Sequence, residues 1–167
     1  MIKQFDDFLD KNLLLESTEY ANDVLKKHDY TKNTHDDVIG DSLMHLIDNK
    51  CNLNKKLKDF VSLNTELIPN KIGLTFMFAG SSHVWHRDTN PLIGSLTIYL
   101  NDFWDKNWGG TFMYTLDEEV STNVNAIFPK NNLAIVQVNA GVWHCVSPTS
   151  LNAPIRMSMQ MFQVLSK

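Results

Sequence analysis

The side chains best suited to metal chemistry stand in two separated segments of the sequence. His86 and Asp88 are two positions apart, and His144 lies in a later run between Gly141 and Pro148. In an extended strand, residues two positions apart point to the same face, so the first imidazole and the carboxylate can approach one cation together. A second imidazole from a distant strand would complete a three-ligand site that keeps coordination positions open. The spacing therefore predicts a metal centre at His86, Asp88 and His144.

Other residues near this pattern are not expected to bind the metal. His35 and Asp37 repeat the His-x-Asp spacing, but they lie in a polar stretch that offers no strand to align them and no apolar surroundings. Strict alternation places His83 on the face opposite His86, where a surface or hydrogen-bonding role is expected. Arg87 alternates away from the metal face as well, toward solvent or an acidic group of the substrate.

A candidate anion site follows near the end of the chain. Arg156 is, with Arg87, one of two arginines in the sequence, and it alternates with Ser158 and Gln160 on one face of a strand-like run. Three methionines occupy the opposite face, as is typical of core packing. A buried guanidinium needs an anionic partner, and together with a hydroxyl it can bind a carboxylate through two hydrogen bonds.

The first third of the chain has the spacing of helices. A stripe from Ile2 to Leu13 predicts one helix, and Ser17 or Thr18 is a suitable cap for a second that ends near His28. A third helix is predicted over 41–47 and a fourth over 55–63. We therefore expect residues 1–68 to form a helical support layer.

After Pro69 the pattern changes to short β-branched and aromatic runs divided by turn residues. The predicted strands cover residues 72–78, 92–100, 111–115, 132–138, 143–147 and 155–164. The sequence thus predicts a mostly β, α+β protein of one domain, 1–167, in which residues 69–167 form a sandwich or barrel core.

Composition excludes several classes of protein. The chain has 167 residues, a hydrophobic fraction of 43% and a formal net charge of -4, so it is large enough for one core and has no basic surface for nucleic acid. No run approaches the roughly 18 apolar residues of a membrane span. Cys51 and Cys145 are too few for a disulfide scaffold, and we expect reduced thiols and a cytoplasmic location.

The β half, residues 72–164, resembles the Fe(II)/2-oxoglutarate-dependent oxygenases, particularly their short prolyl-hydroxylase-like branch. The resemblance rests on five features in one order. They are His86-x-Asp88, Tyr99-Leu100-Asn101, Trp108-Gly109-Gly110-Thr111-Phe112, His144 and Arg156-x-Ser158.

This resemblance implies a double-stranded β-helix, the jelly-roll fold of cupins, with a catalytic iron inside one open end. It implies that iron is bound by His86, Asp88 and His144, and that the distal carboxylate of 2-oxoglutarate is bound by Arg156, Ser158 and Tyr99. The implied reaction consumes O2, hydroxylates an unactivated C–H bond and releases succinate and CO2.

Two alternatives stay open at this point. The same three ligands suit Zn²⁺ or Mn²⁺ in a cupin-like metalloenzyme, and a jelly roll can also be a binding module without catalysis. A prolyl residue, a free amino acid and another small molecule are all candidate substrates. Arg156 stands where prolyl hydroxylases of the collagen type often have lysine, and the sequence does not determine the oligomeric state.

Overall fold

The structure is a computed structural model that describes residues 1–88, 94–120, 123–138 and 141–166. The described part contains helices α1 (Lys11–Lys27) and α2 (Asn52–Asn64) and a short 3-10 helix (Lys106–Trp108). The strands are β1 (Ile2–Phe5), β2 (Thr31–Lys32), β3 (Val38–Ile39), β4 (Ser42–Leu46), β5 (Leu67–Ile68), β6 (Lys71–Met77), β7 (Ser82–His86), β8 (Gly94–Tyr99), β9 (Phe112–Thr115), β10 (Asn125–Ile127), β11 (Ala134–Gln137), β12 (Trp143–Val146) and β13 (Arg156–Ser166).

These strands form two antiparallel sheets, as a double-stranded β-helix requires. The 8-stranded sheet has the order β1-β11-β8-β13-β6-β4-β2, and β5 also pairs with β13. The 5-stranded sheet has the order β10-β9-β12-β7-β3. Strand β13 lies between β8 and β6, and both of its faces are buried near Met159. The predicted mostly β fold with a jelly-roll core is therefore confirmed.

The two helices pack on the larger sheet. Buried residues of α1 such as Val24, and of α2 such as Leu57, belong to the same hydrophobic cluster as Leu74 of β6 and Ile98 of β8. Burial of this continuous apolar surface is the main force that joins the helices to the sheet. None of the helices in the described ranges has the length and apolar character needed to cross a membrane.

The helix predictions were only partly right. The segment Ile2–Phe5 is strand β1, paired with β11, and a single helix then runs from Lys11 to Lys27. Asp10 is the N-cap of this helix, because its carboxylate accepts from the backbone N–H groups of Asn12 and Leu13 at 2.9 Å. Ser17 lies inside the helix and donates to the carbonyl of Leu13.

The third predicted helix is wrong. Residues Ser42–Leu46 form β4, which pairs with β6 along its length. A segment this short has little helical stability of its own, so hydrogen bonding to an unpaired strand edge decides its conformation. The fourth helix is confirmed as α2. Five strands fall within residues 1–68, so the predicted support layer is only partly helical.

All six predicted strand runs contain a strand in the structure. The first two residues of the run predicted over 92–100 lie outside the described residues. These six runs leave out β1 to β5, β7 and β10. Strands β2, β3 and β5 have two residues each and β10 has three, which is too short for a periodic signal.

Candidate metal centre

Neighbouring strands of the smaller sheet bring two imidazoles together. His86 at the end of β7 is the cross-strand partner of His144 on β12, and their ring centroids are 4.3 Å apart. Asp88 follows two residues after the end of β7, and its Oδ2 lies 3.9 Å from Nε2 of His144. One ligand atom from each of the three residues lies within 4.8 Å of the other two. The side chains selected from the sequence thus converge on a space of the size of one cation.

The backbone fixes which nitrogen of each ring faces this space. Nδ1 of His86 lies 2.8 Å from the carbonyl oxygen of Val84, and Nδ1 of His144 lies 3.0 Å from that of Val142. Because a carbonyl can only accept, each Nδ1 carries the proton and donates it. In the neutral form of either ring, Nε2 then carries the lone pair, which is the arrangement that binds a metal.

His144 is the most enclosed of the three residues. It is buried, and its ring stacks on Phe112 with a centroid distance of 5.5 Å. Burial lowers the pKa of His144 below its usual value, and the nearby carboxylate of Asp88 only partly opposes this effect. The lowered pKa favours the neutral imidazole, the form required of a ligand.

Contacts behind the centre join the two strands that carry it. The guanidinium of Arg87 lies over the ring of Trp143, 4.7 Å from its centroid. Arg87 also donates to the carbonyl of Glu118, and Nε1 of Trp143 donates to the same oxygen at 3.0 Å. Arg87 therefore points away from the ligands, as alternation predicts, but it contacts an aromatic ring and a carbonyl.

The predicted position of His83 is wrong. His86 pairs with His144 and His83 pairs with Val146, so three steps along β7 oppose two steps along β12. This is the geometry of a β-bulge, which shifts the alternation by one residue. The bulge turns His83 to the same face as His86.

Asp37 approaches both of these histidines, although it was not predicted to lie near the metal centre. Its Oδ2 lies 3.4 Å from Nδ1 of His83 and 3.4 Å from Nε2 of His86. A hydrogen bond from His83 is the main reason that the pKa of Asp37 falls to about 2, although burial opposes the shift. The signal in the sequence was the second His-x-Asp pattern, which could be interpreted only once β3 was known to pair with β7.

A second group of polar side chains lies on the larger sheet. Arg156, Ser158 and Tyr99 are each no more than 2% exposed, and Ser158 is the cross-strand partner of Tyr99. The guanidinium of Arg156 lies 4.7 Å from the centroid of the Tyr99 ring and donates to the sulfur of Met77. Phe112, which stacks on His144, also packs against the hydrophobic cluster that contains Tyr99.

Three polar atoms of this group lack hydrogen-bond partners. Nε of Arg156, the hydroxyl of Ser158 and the hydroxyl of Tyr99 are buried and make no hydrogen bond. No carboxylate in the described ranges lies within ion-pair distance of Arg156. Buried polar groups normally have partners, and an unpaired buried guanidinium is costly. Three unsatisfied groups side by side therefore fit an anionic ligand with several acceptor oxygens, such as a carboxylate.

Gly110 provides the room that Arg156 needs. A Cβ added at this glycine would lie 2.9 Å from Cδ of Arg156 and 3.3 Å from its Nε. The backbone at Gly110 also has a φ of +64°, which glycine adopts without strain. Of the glycine pair identified in the sequence, Gly110 thus lies against Arg156, whereas Gly109 faces Pro148.

Comparisons with known proteins agree with this geometry. The sequence pattern of the 2OG-Fe(II) oxygenase superfamily matches residues 72–163, more than half of the chain. A search of curated proteins finds no significant match.

Solved structures share the fold at low sequence identity. A prolyl-4-hydroxylase from Pseudomonas putida has a TM-score of 0.77 at 17% identity, covering 95% of this chain and 89% of its own. A prolyl hydroxylase from Trichoplax adhaerens, in complex with a hypoxia-inducible-factor peptide, has a TM-score of 0.76 at 16% identity, covering 95% and 81%.

A viral collagen prolyl hydroxylase from Paramecium bursaria Chlorella virus-1, in complex with 2-oxoglutarate, has a TM-score of 0.63 at 15% identity, covering 95% and 93%. The fold is common to all three, and the match of the superfamily pattern establishes the family. The chain belongs to the 2OG-Fe(II) oxygenase superfamily and is a 2-oxoglutarate-dependent non-haem iron dioxygenase.

Proposed function

We propose that the chain hydroxylates an unactivated C–H bond, with Fe(II) bound by His86, Asp88 and His144 and 2-oxoglutarate bound by Arg156, Ser158 and Tyr99. The observation that carries the proposal is the set of three buried, unpartnered polar atoms on the larger sheet. Phe112 packs against the cluster that contains Tyr99 and stacks on His144, one of the three candidate metal ligands.

The donor set suits the metal. Two imidazole nitrogens and one carboxylate oxygen are the protein ligands of non-haem Fe(II) oxygenases, and they leave three positions of an octahedron for other ligands. When bound, Fe(II) and 2-oxoglutarate supply the oxidative chemistry, in which O2 is consumed and succinate and CO2 are released.

The protein's own residues bind and orient these groups. Arg156 presents a planar fork of donors to the distal carboxylate of 2-oxoglutarate, and the hydroxyls of Ser158 and Tyr99 supply further donors. Since these side chains are almost fully buried, water cannot compete for the same hydrogen bonds. A zinc or manganese enzyme without a carboxylate co-substrate would leave all three groups unsatisfied.

Several finer points belong to the same proposal. A peptidyl proline is the first substrate to test, because two of the similar structures are prolyl-4-hydroxylase and collagen prolyl hydroxylase and a third holds a peptide.

We propose one domain over residues 1–167, since the core cluster joins both helices to the larger sheet. We also propose a cytoplasmic location, which the free thiols of Cys51 and Cys145 support.

The test is substrate-stimulated release of succinate. Iron-loaded protein prepared without oxygen is mixed with 2-oxoglutarate, exposed to O2, and screened against proline-containing peptides, free amino acids and small metabolites. We expect slow release alone and faster release with a substrate. Wild-type protein that binds iron but never converts 2-oxoglutarate would contradict the proposal.

A further inference from the structure

We propose that Asp37, held in place by His83, binds a positively charged group of the primary substrate beside the metal centre. This inference rests on the proposed function and adds a substrate class to it: molecules with an ammonium or guanidinium group close to the carbon that is hydroxylated. Three observations lead to it. The carboxylate of Asp37 is fixed in position, it is not one of the proposed metal ligands, and it places a negative charge beside the metal centre.

The carboxylate of Asp37 is fixed relative to the metal ligands. Asp37 immediately precedes β3, which pairs with β7, and the backbone N–H of Val84 donates to the carbonyl of Asp37 at 2.8 Å. Its Oδ2 lies 3.4 Å from Nδ1 of His83 and 3.4 Å from Nε2 of His86. That nitrogen faces the centre, so the carboxylate borders the space in which the reaction takes place.

Asp37 is not a ligand itself. The cluster of mutually close ligand atoms in the described ranges contains His86, Asp88 and His144 but not Asp37. A fourth protein ligand would also take one of the three positions that bidentate 2-oxoglutarate and O2 require. The carboxylate therefore has a role outside the coordination sphere.

Charge indicates what that role is. The charges of Fe(II), Asp88, doubly ionised 2-oxoglutarate and Arg156 cancel, so the assembled centre is neutral and Asp37 adds a negative charge beside it. No lysine or arginine in the described part of the chain lies within ion-pair distance of Asp37. Its side chain is 24% exposed, so a substrate can reach it while water screens it only partly. A carboxylate in this setting attracts a cationic group and orients it.

The experiment compares matched probes that differ only in charge. Anaerobic protein loaded with Fe(II) and 2-oxoglutarate is titrated with L-arginine against L-citrulline, and with a blocked lysine-proline-glycine peptide against its norleucine counterpart. Binding is followed by the change in the charge-transfer absorption of the Fe(II)–2-oxoglutarate chelate, which does not require turnover. We expect at least one cationic probe to bind about tenfold more tightly than its neutral match. This is the difference in affinity that one hydrogen bond to a charged group typically provides.

Two variants assign that preference to one side chain. Asp37→Asn, which keeps the shape of the side chain, should form the same chelate absorption but bind the charged and neutral probes equally. Asp36→Asn is the matched control, because Asp36 is the exposed neighbour on the same turn, and it should keep the preference.

The outcomes separate this inference from the function on which it rests. Failure of wild-type protein to form the chelate absorption overturns both. A chelate that forms in wild-type protein, together with equal binding of charged and neutral probes or no binding of either cationic probe, overturns the role of Asp37 alone. Retention of the preference in Asp37→Asn overturns it as well.

Discussion

The two sheets hold their functional residues in different surroundings. On the larger sheet, Arg156 and Ser158 project from an 11-residue strand paired on both sides, and they are at most 2% exposed. On the smaller sheet, His86 and Asp88 stand at or beyond the end of a bulged 5-residue strand, with side chains 23% exposed. The proposed co-substrate site is thus part of the core, whereas the candidate metal centre lies at an opening, with only His144 buried. Substitutions on the two sheets should therefore have separable effects on metal binding, co-substrate binding and stability.

The largest effect is expected at the opening. Asp88→Ala removes the only carboxylate among the three proposed ligands, so iron affinity should fall by more than about 100-fold. Because Asp88 is partly exposed, the melting temperature of the metal-free protein should stay within about 2 °C of wild type. Iron titration and thermal unfolding measure the two quantities.

His35→Ala is the control for this variant, because His35 belongs to the other His-x-Asp pattern and is exposed. It should bind iron like wild type. Unchanged iron affinity in Asp88→Ala would mean that the smaller sheet does not provide the metal site.

The next effect is expected on the larger sheet. Arg156→Met keeps most of the side-chain volume but removes the donors, so iron affinity should be retained while the 2-oxoglutarate requirement rises about 100-fold or more. Without co-substrate, this variant should be at least as stable as wild type, because an unpaired buried charge is removed.

The matched control is Met159→Ala on the opposite face of the same strand. It creates a cavity in the core and should cost about 2–5 kcal/mol of unfolding free energy. Chemical denaturation compares the two variants. A large loss of stability in Arg156→Met would contradict the view that Arg156 serves a ligand.

A smaller effect separates close contact from backbone strain. Gly110→Ala would bring a Cβ to 2.9 Å from Arg156, whereas at Gly80, with a φ of +81°, the nearest atom would lie 3.6 Å away. Both substitutions should cost about 1–2 kcal/mol through the left-handed backbone. Only Gly110→Ala should raise the KM for 2-oxoglutarate, and equal KM values in the two variants would argue against the contact.

The smallest effect concerns the other face of β12. Cys145 is buried there, and burial raises the pKa of its thiol to about 11 from an ordinary value of 9.0. At pH 8 its thiolate population should be about a hundredfold below that of an ordinary cysteine, and alkylation correspondingly slow. Cys51→Ser and Cys145→Ser isolate the two thiols, and rapid alkylation of native Cys51→Ser would show that this face is open.

The sequence predicted the parts of the molecule that follow simple periodicity. Six strand runs and the common face of Arg156 and Ser158 depend on alternation along regular strands. The two-residue spacing of His86 and Asp88 also selected residues that converge with His144, although Asp88 lies two residues beyond the end of β7. The ligand roles stay predictions that the experiments above address, but the placement of the side chains agrees with them.

What could not be predicted depends on long-range pairing. The bulge between β7 and β12 turns His83 to the face of the metal centre, and no local sequence pattern in β7 predicts this bulge. Asp37 reaches the centre only because β3 joins the edge of the same sheet. Strand β4 has an apolar spacing that fits a helix equally well until the edge of β6 is available.

The contacts of Arg87 and Trp143 with one another and with the carbonyl of Glu118 have a consequence for metal exchange. The two Nδ1–carbonyl bonds fix the orientation of the imidazoles, and the contacts of Arg87 and Trp143 join the strands that carry them. Little conformational entropy should therefore be lost when iron binds. The protein should therefore withstand repeated cycles of chelation and reloading without a refolding step.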